Sequence, residues 1–203
     1  MGTLSLETIR RVAAALDIRV DLVGRWRAGD LDRLLNARHS ALHEHVARMF
    51  RDEHPEWVFE PEVSFAIYRE RGVIDILAWH PGRRAILVIE LKTDMVDVND
   101  LVGGVDRKRR LVWKVAQARG WEPEFVSVWV ILAAGRTNRA RLAAHGAMLR
   151  AAYPVDGRGI RYWLRDPAAP MAALSMWHGL HPGTGRAGLS PVRRVRARRG
   201  APV

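Results

Sequence analysis

Asp75, Glu90 and Lys92 are the residues whose types and spacing bear most directly on chemistry. They fall in "GVIDILAW" (72–79) and "RAILVIELK" (84–92), two apolar runs of strand length joined by a Pro81-Gly82 link. Closing these runs as a hairpin about Gly82-Arg83 pairs residues whose numbers sum to 165, and Asp75 then faces Glu90. Side chains opposed in a ladder have Cβ atoms roughly 4.5–5.5 Å apart, and like charges there are unfavourable. The same register puts Asp75, Leu77, Trp79, Ile86, Val88, Glu90 and Lys92 on one face, and Ile74, Ile76, Ala85, Leu87, Ile89 and Leu91 on the other. Both faces are largely apolar, so the hairpin is expected to be covered on both sides. Two carboxylates in such a place are driven towards protonation unless a cation neutralises them. A divalent metal is the simplest compensation, and oxygen ligation suits Mg2+ or Mn2+. Lys92, on the same face as Glu90, brings an ammonium near a water or a phosphoryl oxygen.

Positioning such a pair calls for a layered α/β domain. Asp30 opens a helical pattern in which Leu31, Leu34, Leu35, Leu42, Val46, Met49 and Phe50 trace one apolar stripe to about Phe50. "EVSFAIY" (62–68) precedes the two runs, and the links, which hold Gly72 and Pro81-Gly82, are too short for crossovers, so the three strands form an antiparallel meander. Asp97 and Asp100 begin a helix that runs to about Arg119 and stops at Gly120. "FVSVWVILA" (125–133) is a continuous apolar run of the kind found in a sheet interior. Thr137 begins a helix reaching about Tyr153, and "IRYWL" (160–164) reads as a last strand. The expectation is a three-strand antiparallel meander plus further strands in a mixed sheet flanked by helices.

"IDILAW" followed by "VIELK" resembles the motif of the PD-(D/E)xK, or restriction-endonuclease-like, superfamily: Asp75, fourteen residues, Glu90, one residue, Lys92. That family's order of helix, three strands, helix, strand is matched over residues 30–135, about half of the chain. The resemblance implies that Asp75 and Glu90 bind magnesium, with the backbone carbonyl of Leu91 as a further ligand. It also implies that Lys92 orients or activates the attacking water and stabilises developing charge. Ile74 stands where the motif has proline. Some members add an acidic residue from the first helix; Glu44 is the best placed here, with Glu62 on the first strand as the alternative. Members can keep the fold after losing chemistry, so fold alone does not establish cleavage. Separately, "SLETIRRVAAALDIRVDL" (5–22) resembles the end of a Cro/repressor-type helix-turn-helix domain, with a helix from Ser5 to Leu16. The helix that would enter the major groove is missing, so no base readout carries over.

Arg107, Arg110 and Lys114 share a helix face with Lys108 and Arg109 beside them, a surface suited to tracking phosphates or simply to meeting solvent. Arg136, Asn138 and Arg139 follow the apolar strand, where they are placed either to bind phosphates at a helix start or to cap it. His39 and His43, four apart, lack HExxH spacing and a third ligand and read as surface histidines. GxSxG, GxGxxG and GxxxxGK[ST] are absent, which removes the usual sequence arguments for a serine hydrolase, a dinucleotide enzyme or a P-loop NTPase. The eight tryptophans fall mostly in apolar runs and read as core.

The 203 residues fit one main domain, and the absence of cysteine excludes disulfides, thiolate zinc sites and cysteine nucleophiles. The net charge of +11 is unevenly placed. Six arginines and no acid lie in residues 183–203, leaving 27 cations against 22 acids elsewhere, so the body is mildly basic. Expected are an N-terminal helical segment (1–29), a nuclease-like domain (30–180) and a disordered basic tail (181–203). No membrane span is read, and a cytoplasmic location follows. The expected activity is Mg2+-dependent phosphodiester cleavage of DNA; the rival is a non-catalytic DNA-binding regulator on the same fold. A homodimer is left open.

Overall fold

A computed structural model describes residues 30–179, with Thr8, Arg11, Val12, Ala15 and Leu16 ahead of them. The other residues of segment 1–29, including Ser5 and Trp26, and the basic segment 180–203 lie outside the described residues. The chain divides into two units, Met1–Arg38 and His39–Val203. In the first, Thr8, Arg11, Val12 and Ala15 are helical, and the N–H of Leu16 donates to the Val12 carbonyl at 3.2 Å.

From His39 onwards the architecture is a five-stranded mixed sheet flanked by helices. Helix α1 (Asp30–Glu53) leads into β1 (Val58–Ile67), β2 (Glu70–His80) and β3 (Ala85–Lys92). Helix α2 (Val98–Gln117) crosses to β4 (Phe125–Ala133). Three short helices, α3 (Arg136–Ala144), α4 (Gly146–Ala152) and α5 (Gly157–Arg165), then lead to β5 (Ala172–Trp177). The strand order is β1-β2-β3-β4-β5, antiparallel from β1 to β3 and parallel from β3 to β5. Among the described residues, no helix is long and apolar enough to cross a membrane.

The two faces carry separate cores. Leu42, Val46 and Phe50 of α1 and Ile160 and Leu164 of α5 cover Ile76, Leu87, Ile89 and Leu91 on one side. Val98, Leu101, Val105 and Val112 of α2, with Leu149 and Tyr153 around α4, cover Leu77, Ile86, Val88 and Val130 on the other. β3 is buried at every position but its last, as a strand covered on both faces must be, which explains its unbroken apolar sequence.

Several local features have plain causes. Asp97 caps α2 by accepting from the N–H groups of Asn99 and Asp100. Gly120, at φ 70, turns the chain after that helix. The β1–β2 turn is Tyr68-Arg69, with φ of 50° and 68°, the left-handed pair that a two-residue hairpin turn requires. Gly72, expected in that link, sits instead inside β2 opposite Phe65, where a Cβ would approach the Phe65 ring to 2.7 Å. "IRYWL" is part of helix α5, not a strand. Asp156 caps it through the N–H groups of Arg158 and Gly159, and Ile160 and Leu164 are buried one turn apart. The last strand is β5, and the helix expected from Thr137 to Tyr153 is broken in two at His145 and Gly146.

One departure shapes the site. The β1–β2 ladder keeps a single register from Val58↔Trp79 to Ile67↔Glu70 but skips the pair Glu62 and Asp75. Glu62 is at φ 50, and the two strands exchange faces together at this point. Ile76 packs in the α1 layer, whereas Ile74 packs with Leu77 and Trp79 in the α2 layer. In β1, Phe59 packs in the α1 layer and Val63 and Phe65 in the α2 layer. Strict alternation put Ile74 on the face of Ile76; the paired kink moves it to the other.

Candidate functional site

The β2–β3 ladder runs through five pairs, from His80↔Ala85 to Ile76↔Ile89, in the register that brings Asp75 to Glu90. Beyond Ile76 the ladder gives way to a side-chain contact. The N–H of Leu91 donates to Asp75 Oδ2 at 2.7 Å, so the carboxylate takes a bond from the neighbouring strand. From the opposite layer, His43 Nε2 lies 3.1 Å from the Asp75 carbonyl oxygen, and because that oxygen only accepts, the ring nitrogen donates. Asp75 is therefore tied at its side chain by β3 and at its backbone by α1. His43, read from sequence as a surface histidine, is half-buried and belongs to the support of the site.

Glu90 is 5% exposed and carries two cations. Lys92 Nζ is 2.7 Å from Oε1, and Lys108 Nζ, reaching down from α2, binds Oε2. The compensation expected of a metal is thus supplied by two ammonium groups on the chain itself. Lys108, beside a helix face whose sequence suits tracking phosphates or meeting solvent, has its side chain nearly buried against Glu90. Its signal in the sequence was only its place on a helix following the strand.

Burial, and next the Glu90 charge, raise the Asp75 pKa above the usual carboxylate value, although the Leu91 N–H and the charges of Lys108 and Lys92 pull it down. For Lys92, burial favours the neutral amine, but the charge and hydrogen bond of Glu90 and the charge of Asp75 outweigh it, so its pKa is raised. Tyr153 is pushed up to about 12, by burial first and then by Glu90 and Asp106. Its phenol is a neutral hydrogen-bonding group at ordinary pH.

Beside Glu90 and Lys92 opens a pocket of about 270 Å3, lined also by Asp94, Asp97 and Asp100. Its edge is held by Asn138, which is fully buried: Oδ1 accepts from Met95 N–H at 2.8 Å, and Nδ2 donates to the carbonyls of Thr93 (3.0 Å) and Ala133 (2.8 Å). Arg141 adds a bond to the Met95 carbonyl. The sequence places Asn138 either to bind phosphates or to cap the helix; its amide is wholly engaged in fastening the loop after Lys92 to the end of β4.

The other expected cations divide. Arg107 and Arg110 both reach Glu70, at 3.4 and 3.8 Å, and Lys114 lies 3.4 Å from the Gln117 side-chain oxygen. Arg136 and Arg139, at the start of α3, are exposed and form no ion pair with a described residue. Of the two candidates for a further acidic ligand, Glu44 is turned to Arg51 at 3.0 Å and Arg48 at 3.9 Å. Glu62 is exposed on the kink. Neither joins Asp75 and Glu90 in a group of three, and no such group of acids or histidines occurs among the described residues. Two carboxylates still match what Mg2+ takes, since it keeps most of its waters and uses one or two protein carboxylates beside a substrate phosphate. The donors fit in kind, being hard oxygens of which Asp75 lacks a full counter-charge.

Comparison with protein-family models, with curated proteins and with solved structures finds nothing that matches this chain. The chemical reading accordingly rests on the arrangement of Asp75, Glu90, Lys92 and Lys108.

Proposed function

We propose that the protein is a Mg2+- or Mn2+-dependent phosphodiesterase acting on DNA, with restriction-endonuclease-like architecture. The observation that carries this reading is the convergence, at one end of the β2–β3 hairpin, of two acids and a raised-pKa lysine on an otherwise apolar face. In it, Asp75, Glu90 and the Leu91 carbonyl hold the cation, which when bound supplies Lewis-acid stabilisation of charge on the phosphoryl group. Lys92 keeps its proton, orients the attacking water and meets the developing negative charge. The Leu91 N–H and His43 hold Asp75 in place. Arg136 and Arg139 are the exposed cations best able to meet the phosphate backbone.

A second reading is favoured by one observation. Because Lys92 and Lys108 already neutralise Glu90, that carboxylate is compensated without a metal, as in a DNA-binding regulator that keeps the fold but not the chemistry. Calorimetric titration with Mg2+ and Mn2+, on wild type and on Asp75→Asn/Glu90→Gln, separates the two when the same samples are then given plasmid and single-stranded DNA. Specific metal binding with cleavage, both absent from the double variant, supports the enzyme. Identical behaviour of the two proteins overturns the metal-site reading.

A further inference from the structure

On the sheet face opposite Glu90, a cavity of about 320 Å3 opens between α1, α5 and the carboxyl ends of the parallel strands β4 and β5. In open α/β sheets this edge is where ligands gather, and the volume is that of a small-molecule site. Its walls combine two chemistries. The Trp177 indole stacks at a tilt on His45, with ring centres 5.2 Å apart, and Met49 extends the apolar wall. The His45 pKa is lowered, by burial first and then by Arg48 and Arg161, so the ring is a neutral aromatic surface at ordinary pH.

At the mouth stand Arg158 and Arg161, one turn apart on α5 and both exposed. Neither forms an ion pair with a described residue. The start of α5 is not itself the anion site, because Asp156 already accepts from its N–H groups, at 3.0 Å from Arg158 and 2.8 Å from Gly159. Recognition therefore falls to the guanidinium groups, which match phosphate oxygens in geometry. On the floor, Ser175 Oγ accepts from Trp129 Nε1–H at 2.9 Å, leaving its own hydroxyl proton for a guest. Gly157 lets the helix come down on that floor, since a Cβ there would already lie 3.3 Å from the Ser175 Cβ.

An aromatic wall, a rim of two exposed arginines held in no ion pair with a described residue and a single hydroxyl donor describe a planar base carrying an anionic group. We propose that this cavity binds a mononucleotide, its base against Trp177 and its phosphate on Arg158 and Arg161. The site is separate from the carboxylate pair and does not depend on the reading given to it.

The test is titration of the full wild-type chain with adenosine 5′-monophosphate, read by calorimetry and tryptophan fluorescence, in the presence of chelator so that no divalent metal is held at the carboxylates. Binding is expected to weaken by about tenfold or more in Arg158→Ala/Arg161→Ala, through lost charge-assisted bonds, and also in Trp177→Ala. Adenosine alone and inorganic phosphate alone are expected to bind more weakly than the nucleotide. Both arginines are exposed, so their replacement leaves the fold in place, as circular dichroism will verify. Absence of binding at millimolar nucleotide, or binding unchanged by the arginine substitutions, overturns the proposal.

Discussion

Glu90 and Lys108 stand eighteen positions apart, one on the central strand and the other on the helix that follows it, yet the ammonium of the lysine rests on Oε2 of the carboxylate. Lys92 holds the other oxygen. A carboxylate that is 5% exposed thus sits between two cations, and neither ammonium group can be removed without leaving buried charge short of a partner.

Lys108→Met is expected to destabilise the metal-free protein by about 1–3 kcal/mol, less than the loss of an unshared buried pair because Lys92 remains. On the metallo-enzyme reading, Mg2+ then competes with one ammonium fewer and should raise the melting temperature of the variant more than that of wild type. Thermal unfolding with and without Mg2+ measures both effects; an equal response in the two proteins would separate Lys108 from any metal site.

Asp75 gives a pH dependence whose sign follows from its raised pKa. Folding favours its protonated form, so this contribution is fully present below the unfolded value of 3.8 and is lost as pH rises through the folded value. In Asp75→Asn the amide oxygen can still accept from Leu91 N–H while the ionisation is gone. Urea unfolding across this range in chelator should show wild type losing stability relative to the variant as pH rises, and parallel curves would contradict the assignment.

Asn138→Ala removes three hydrogen bonds, two of them buried and one partly so, and strands the Met95 N–H and two carbonyls. A loss of about 2–4 kcal/mol is expected from such unsatisfied groups. Hydrogen exchange should locate the loosening at the Met95 amide, beside the pocket that Glu90 and Lys92 line. Exchange there no faster than in wild type would mean that something else fastens the loop.

Glu70 occupies two arginines of the basic helix face. Glu70→Gln should release Arg107 and Arg110, tighten DNA binding at low salt and steepen the salt dependence by about one to two in log–log slope, roughly 0.9 per added phosphate contact. Binding that is indifferent to the substitution would show that this face does not meet DNA.

The sequence made the hairpin legible because its ladder depends on a period of two and on a turn marked by Pro81-Gly82, and five pairs follow the register read from it. Helix α2 was legible for the same kind of reason, with Asp97 at one end and Gly120 beyond the other. The last strand was not. A five-residue apolar window such as Ile160–Leu164 holds too little period to tell strand from helix. The deciding signal was Asp156, one position ahead of the helix it caps. At the site, Asp75, Glu90 and Lys92 could be placed by alternation, whereas Lys108 and His43 reach it across tertiary distance, 18 and 32 positions from their partners. The face exchange at Glu62 and Asp75 left no local mark, because both strands shift together and the register is unbroken.

The bond from Leu91 to Asp75 has a consequence for variation in the chain. The Leu91 side chain is packed in the layer of α1 and α5, while its N–H steers a carboxylate associated with the other layer. Trimming that leucine, or swelling its neighbour Ile131, would shift the β3 backbone and drag Asp75 with it. Substitutions that look remote and purely hydrophobic would then act as graded lesions of the acid pair, displacing Asp75 from Glu90 before the fold itself gives way.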